Sequence, residues 1–330
     1  MSSALLARSG LSLDRLASFI AIADAGGLSA AAQGDAVRQS QLSRQLKELE
    51  EFFGAPLIER RRGVFRLTAA GRALIEIARP TLTRLDDFER RCGGQLMEVH
   101  LGAGESVLVW LLTPKLKPLL EADPKLALTL HNLQSEEITR RLRDGRLDFG
   151  LLRRSAVGSG YSSLPVGAVE YALFVPRAAF SKGQPATPAQ LLSQVPVAML
   201  EGNSTVSVAL ADWAADNRVR LNVRLRCTSL VQAAAAVKGL GMAAVLPVWA
   251  KSEFIDEAVT RLSLPALREL AMPLRLVWSR RQAAIRPFMT GLARMLASAL
   301  AGETSRAVST AESPRTPRRA AGIDRREPRS

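Results

Sequence analysis

Between Arg38 and Glu50 the chain reads RQSQLSRQLKELE, a run whose polar side chains are of the kinds that recognise nucleic acid. Leu42, Leu46 and Leu49, continued by Phe53, recur at i, i+4, i+7 and i+11 and so fall within one narrow wedge of a helix. Ser40, Ser43, Arg44 and Lys47 then occupy the opposite face. Gln and Arg can make paired hydrogen bonds to base edges in the major groove, while Ser and Lys can hold phosphates. A helix whose polar face is merely solvated has the same pattern, so this segment alone leaves both readings open. The next segment, LIERRRGVFRLT, sets Arg60, Arg61 and Arg62 ahead of Gly63 between two short extended runs. A basic hairpin directly after such a helix is a wing, able to lay arginines along phosphates or into the minor groove. Together the two features specify DNA reading far better than either does alone.

The neighbouring segments can present these residues. Upstream, Leu13, Leu16, Phe19, Ile20 and Ala23 have helical spacing, stopped by Gly26 and Gly27. LSAAAQGDA then opens on Ser29 as an N-cap, with Val37 as a one-residue hinge before the quoted run. Two short helices joined by a tight turn make a helix-turn-helix. Downstream, Thr68 caps a long helix in which Leu74, Ala78, Thr81, Leu85, Phe88 and Cys92 form a heptad seam. That seam suits pairing with a second copy, although a connector packed on its own chain would fit it too. Pro80 inside the helix removes a backbone donor and is expected to bend it. From Met97 to about Leu300 strand-like runs alternate with helical ones, from EVHLGAG and SVLVWLLTPKLKPLLEADP through to MPLRLVWS and RPFMTGLARMLASAL. This alternation implies an α/β unit with parallel strands and crossover connections.

Composition removes several classes. A chain of 330 residues with 47% hydrophobic and 23% charged residues reads as globular, with more than one domain. No run reaches the roughly 18 apolar residues that a membrane span needs. MSSALLARSG lacks the apolar core of a secretory signal, so a cytoplasmic location is expected. Cys92 and Cys227 lie far apart and offer neither a disulfide framework nor metal spacing, and His100 and His131 stand alone in strand-like runs. There is no G-x-S-x-G elbow for a nucleophile. No cofactor, no metal and no enzymatic activity are expected. The net charge of +14 favours an anionic partner, but it is spread over the chain: +3 in residues 1–92, +8 in 93–300 and +3 in 301–330. The last stretch, rich in Pro, Ser and Arg, has too few large apolar side chains to order itself. The organisation expected is a winged helix-turn-helix with a short N-terminal extension over 1–69, a linker or dimerisation helix over 70–94, an α/β domain over 95–300, and a disordered basic tail over 301–330.

The order of these parts resembles the LysR-type transcriptional regulators from about Leu13 to Leu300. FIAIADAGGLSAAA, QSQLSRQLKELEEFFGAPLIER and RLTAAGRAL look like the family's DNA-binding signature; GAGES, LRDGRLDFGLL and GLGMAAVLP are similar to its effector domain. The resemblance makes the α/β domain over 95–300 an effector-binding domain of two lobes, like the type 2 periplasmic binding proteins, and implies assembly as a homodimer or a dimer of dimers. It puts Gln39, Ser40, Gln41, Ser43, Arg44 and Lys47 on the helix that meets DNA and Arg60, Arg61 and Arg62 on the wing. It puts Ser106 at a helix start where family members often contact ligand, which also has a physical basis, since backbone donors there attract carboxylates. Asn203, Ser204 and Thr205 open another helix in the same way, as do Thr228 and Ser229. Arg153, expected near the crossover between lobes, could pair bidentately with a carboxylate. Each of these hydroxyls could equally be a plain cap, and Arg153 a surface arginine. Two positions depart from the family pattern. Arg38 stands where a capping Ser is common, so the reading helix begins at Ser40 or is capped less well. Asp35 falls where an apolar side chain would pack, and an unpaired carboxylate is costly to bury. The function implied is a sequence-specific regulator whose grip on double-stranded promoter DNA is modulated by a small anionic effector between the lobes, with no membrane partner. The alternative is a cytoplasmic solute-receptor-like protein with a non-functional DNA-binding module.

Overall fold

A computed structural model describes residues 10–61, 64–93, 96–180, 187–202, 204–254 and 259–301. Arg62, Asn203 and the tail beyond Ala301 lie outside the described residues. Three helices open the chain: α1 (Leu13–Ala25), α2 (Leu28–Ala32) and α3 (Ala36–Phe53). Leu16, Phe19, Ile22, Leu28, Ala32, Leu42, Leu46 and Leu49 close one core among them, so each helix is held by the burial of its apolar stripe. The stripe on α3 ends at Phe52, buried, rather than at Phe53, which is 39% exposed. The cap of α2 is Gly27 and not Ser29, which lies inside the helix.

Strands β1 (Ile58–Arg61) and β2 (Val64–Leu67) pair antiparallel, Ile58 opposite Leu67 and Arg61 opposite Val64, forming the hairpin expected after α3. Thr68 caps helix α4 (Ala69–Cys92): its Oγ1 accepts from Gly71 N at 2.9 Å and donates to Pro56 O at 2.7 Å. Gly71 is required there, because a Cβ would stand 2.1 Å from the carbonyl oxygen of Leu57. Helix α4 runs on through Pro80. Ile75 and Ala78 join the N-terminal core, whereas Ile77, Leu85 and Phe88 face solvent.

Beyond α4 the chain builds two sheets. The first has the order β4 (Leu126–Asn132), β3 (Met97–Ala103), β5 (Phe149–Arg153), β12 (Met272–Ser279) and β6 (Tyr161–Val169). Strands β4, β3 and β5 are mutually parallel, but β12 runs antiparallel to both of its neighbours, so the all-parallel expectation fails at the strand that returns from the second lobe. The second lobe holds β7 (Tyr171–Pro176), β8 (Pro196–Leu200), β9 (Asn222–Cys227), β10 (Ala244–Pro247) and β11 (Val259–Leu262). There β8 and β9 are parallel, β10 and β11 flank β7 antiparallel, and Val197 bridges to Ala243 to join the two sets. The chain crosses between lobes at Glu170 and again between β11 and β12. Glu170 therefore divides VEYALFVP, which reads as one strand in sequence.

The long helix expected over 106–124 is broken. Glu105–Val107 is α-helical, Leu108–Leu112 forms a wider π turn, Thr113–Lys115 a 3-10 turn, and α5 (Lys117–Ala122) follows. Pro114 and Pro118 each remove a backbone donor from the ladder, which accounts for the break. Further helices are α6 (Ser135–Arg143), α7 (Pro188–Gln194), α8 (Thr205–Asp216), α9 (Leu230–Leu240) and α10 (Phe288–Ala301). Met289, Leu292, Ala293, Leu296 and Leu300 return α10 to the core of the first lobe, so the end of the described chain belongs to the lobe that begins at β3.

Candidate functional site

Helix α3 starts a full turn before Ser40. Asp35, itself exposed, accepts from Val37 N at 2.8 Å and Arg38 N at 3.1 Å through Oδ1, and so supplies the cap that Arg38 lacks. The carboxylate that would have been costly in a core is spent at a helix start. Val37 is therefore no hinge but the second residue of the helix. The turn before it is made by Gln33 and Gly34, both with positive φ (55° and 85°), which lets α2 and α3 meet closely.

Gln39, Ser40, Gln41, Ser43, Arg44 and Lys47 are all exposed on α3, and only Lys47 among them has an ionic partner, Glu51 at 3.7 Å. The opposite side is fixed to α1 by side chains that sequence reasoning passed over. Gln45 accepts from Ser18 Oγ at 2.6 Å and donates to Asp14 Oδ2 at 2.6 Å. Arg15 Nε donates to Glu48 Oε2 at 2.6 Å, and Glu50 Oε1 accepts from Leu57 N at 2.7 Å, tying the helix to the foot of the hairpin. The two acids near the end of the quoted run are thus structural. Arg60 and Arg61 belong to β1, opposite Phe65 and Val64. This arrangement offers a groove-width helix with free donors and acceptors on one face, followed by a basic strand.

In the two-lobed part, Ser106 lies two residues after the capping Gly104 in the short Glu105–Val107 helix, partly exposed, where that segment approaches α9. Ser229 begins α9 as its cap, accepting from Gln232 N at 3.2 Å; Thr228 donates its hydroxyl to Gln232 Oε1 at 3.0 Å. Ser106 and the Thr228–Ser229 pair are therefore brought to the same junction of lobes. Ser204 caps α8, accepting from Ser207 N at 3.1 Å, and Thr205 is the exposed first residue of that helix. Arg153 ends β5 beside Tyr171, at the first crossover; burial pushes the Tyr171 hydroxyl up and the Arg153 guanidinium acts against that rise. The lobes are also tied by Trp110 Nε1, which donates to Glu253 Oε1 at 2.9 Å.

Charged side chains fasten the first lobe to the rest. Arg286, its side chain only 4% exposed, holds Asp87 of α4 with both Nε (2.6 Å) and Nη2 (2.9 Å), and pairs with Asp148 through Nη1. Asp148 Oδ2 in turn accepts from His100 N at 2.8 Å. Asp24 at the end of α1 takes Arg79 of α4 at 3.0 Å and also Arg146 of the lobe. A chain of ion pairs thus runs from the helix-turn-helix through α4 into the sheet. None of these residues has a recognisable spacing in sequence, since the partners lie up to 199 positions apart.

Residues 13–72 match the profile of the bacterial regulatory helix-turn-helix protein, lysR family, and residues 93–297 that of the LysR substrate binding domain. The chain belongs to the LysR family. A probable hydrogen peroxide-inducible genes activator of Mycobacterium leprae (strain TN) is 28% identical to this LysR chain over 229 residues, 68% of this chain and 74% of the relative. Among solved structures, ArgP from Mycobacterium tuberculosis has a TM-score of 0.60 at 19% identity, covering 87% of this chain and 98% of its own. Full-length CbnR in complex with its target DNA has a TM-score of 0.53 at 21% identity, over 87% of this chain and 100% of its own. At such identities the solved structures share the fold. This LysR protein is a DNA-binding transcriptional regulator with an effector-binding domain. No helix of the described residues is long and apolar enough to cross a membrane.

Proposed function

We propose that Gln39, Ser40, Gln41, Ser43, Arg44 and Lys47 read a promoter through the major groove, that the arginines of the hairpin hold its backbone, and that a small anionic molecule at the lobe junction alters this engagement. The observation that carries the reading is the exposed polar face of α3, on which only Lys47 has an ionic partner, locked from behind by Gln45, Glu48 and Glu50. A helix fixed on one side and unoccupied on the other is preorganised for docking. The anionic effector is supported by Ser106 and Thr228 near one junction, by Arg153 at the first crossover, and by the net +8 of residues 93–300. The ligand shifts DNA engagement only by binding one arrangement of lobes or subunits better than another.

The peroxide in the name of the M. leprae relative gains no support from Cys227. Cys227 is buried in the second lobe, and burial pushes its thiol up, away from the thiolate that reacts with peroxide. Cys92 is on α4, outside that lobe. The reading we favour is a cytoplasmic, non-enzymatic regulator that works as a homodimer or a dimer of dimers.

Mobility shifts against operator and random duplexes test it. Gln39→Ala or Arg44→Ala should lose roughly 1–3 kcal/mol of discrimination, while Arg61→Ala weakens both duplexes alike and lowers the salt slope by about 1. Uniform loss from all three would mean that base and phosphate contacts are assigned to the wrong residues. No salt-dependent specific complex, with or without ligand, would favour a solute receptor.

A further inference from the structure

Val37 is 79% exposed, the most exposed of the large apolar side chains in the described residues. It is a β-branched residue in the first turn of α3, where it contributes nothing to a core and is a poorer helix former than Ala or Arg. The Asp35 cap is what places it in the helix at all. Once there, Val37 shares a face with Ser40, Gln41 and Arg44, at i, i+3, i+4 and i+7, and all three are exposed. One isopropyl group thus stands among hydrogen-bonding side chains, at the N-terminal end of the helix that a helix-turn-helix pushes deepest into the groove.

Of the four bases, only thymine presents an apolar group, its C5-methyl, at the major-groove edge. Polar edges would be left unpaired against an isopropyl group, which makes Val37 selective as well as attractive. We infer that Val37 is a specificity-determining residue that packs on the methyl of one thymine in each half-site. This rests on the proposal that α3 reads DNA, and adds a base identity to it. It also gives the one-turn extension of α3 a purpose, since a helix beginning at Ser40 would not carry Val37.

The test uses the full chain and an operator selected from random duplexes, in which each thymine is replaced in turn by uracil, which lacks only the methyl. Losing one buried methyl corresponds to about a fourfold loss of affinity. The wild type should show this loss at one thymine per half-site. Val37→Ala should bind the thymine operator about fourfold more weakly and be indifferent to uracil at that position, while Arg44→Ala remains sensitive to it. Since Val37 is exposed and Ala favours helix, folding is preserved, which a circular dichroism melt checks. If Val37→Ala retains the wild-type difference between thymine and uracil, or if no thymine methyl matters, the inference is overturned. If Gln39→Ala and Arg44→Ala also leave specificity untouched, it is the reading helix itself that has been misassigned.

Discussion

Asp35 does at the residue scale what the family pattern did not lead one to expect. Its carboxylate lies outside the core and spans the N–H groups of Val37 and Arg38. The cap was legible in sequence, because Asp after Gly and before a run of helix formers is a common start signal. What obscured it was the resemblance, which assigns an apolar packing role to that position and the cap to the place of Arg38. Removing the cap with Asp35→Ala should cost about 1 kcal/mol, read as an earlier melting transition of the N-terminal domain, and Asp35→Ser should restore most of it. Equal melting of the Ala variant would show that the first turn is held by something other than this side chain. A smaller error, Phe53 for Phe52 at the end of the stripe, arises because i+10 and i+11 both lie near an apolar wedge, and the helix tilt on α1 and the hairpin decides between them. Ser204 and Ser229, proposed to contact a ligand, do stand at helix starts, where both are already engaged as caps. That leaves Ser106, Thr205 and Arg153 with more of their hydrogen-bonding capacity to offer a ligand.

Periodicity located most elements, and it failed where the backbone departs from it. Segment 105–122 has the apolar content of a single helix, yet its two prolines split it into α, π and 3-10 pieces. Strand β6 was missed because Pro165 and Gly167 disrupt its alternation; a register shift opposite Leu274 and Arg275 absorbs them and buries Val166. The neighbouring strands β3 and β4 hold the two histidines, which look isolated in sequence and prove to be in contact, His100 Nδ1 lying 3.1 Å from His131 Nε2. Burial, then His100 and Arg141, press the His131 pKa below its ordinary value, with Glu98 acting weakly the other way. A base whose folded pKa is lowered binds fewer protons folded than unfolded, so stability rises with pH through this range and declines as pH falls below about 6.5. Urea unfolding from pH 7.5 to 5.5 should show that decline, and His131→Gln should flatten it. An unchanged slope in the variant would assign the pH dependence to other groups.

For the molecule as a whole, the alternation of strands and helices was legible in the residues and the two-lobed plan came from the family resemblance, while the ion pairs that bind lobe, linker helix and reading domain together were not legible. Arg286, Asp87 and Asp148 come from three distant segments, and only folding reveals that they meet. Such a network ties the first lobe directly to α4, the helix whose outer seam suits pairing with a second copy. Its apolar seam divides in two: Leu74 and Ala78 pack on the N-terminal core, while Leu85 (44% exposed) and Phe88 (61%) belong to none of the core clusters of the described residues, and Ile77 (60%) is exposed just outside the seam. The connector reading thus holds over Leu74 and Ala78, and Leu85 and Phe88 are the part of the seam that pairing with a second copy would use. A DNA site read by paired α3 helices requires the two wings to be held at a fixed spacing, and an exposed seam on the helix leaving the wing can fix it. Phe88→Asp places like charges against each other in that pairing. It should convert a dimer to a monomer in light scattering, and it should lower operator affinity far more than affinity for an isolated half-site, because the second half-site is no longer bound intramolecularly. The α3 face is untouched by this change, so half-site binding serves as the internal control. Persistence of the dimer in Phe88→Asp would move the interface to the lobes and leave the outer seam of α4 to a different partner.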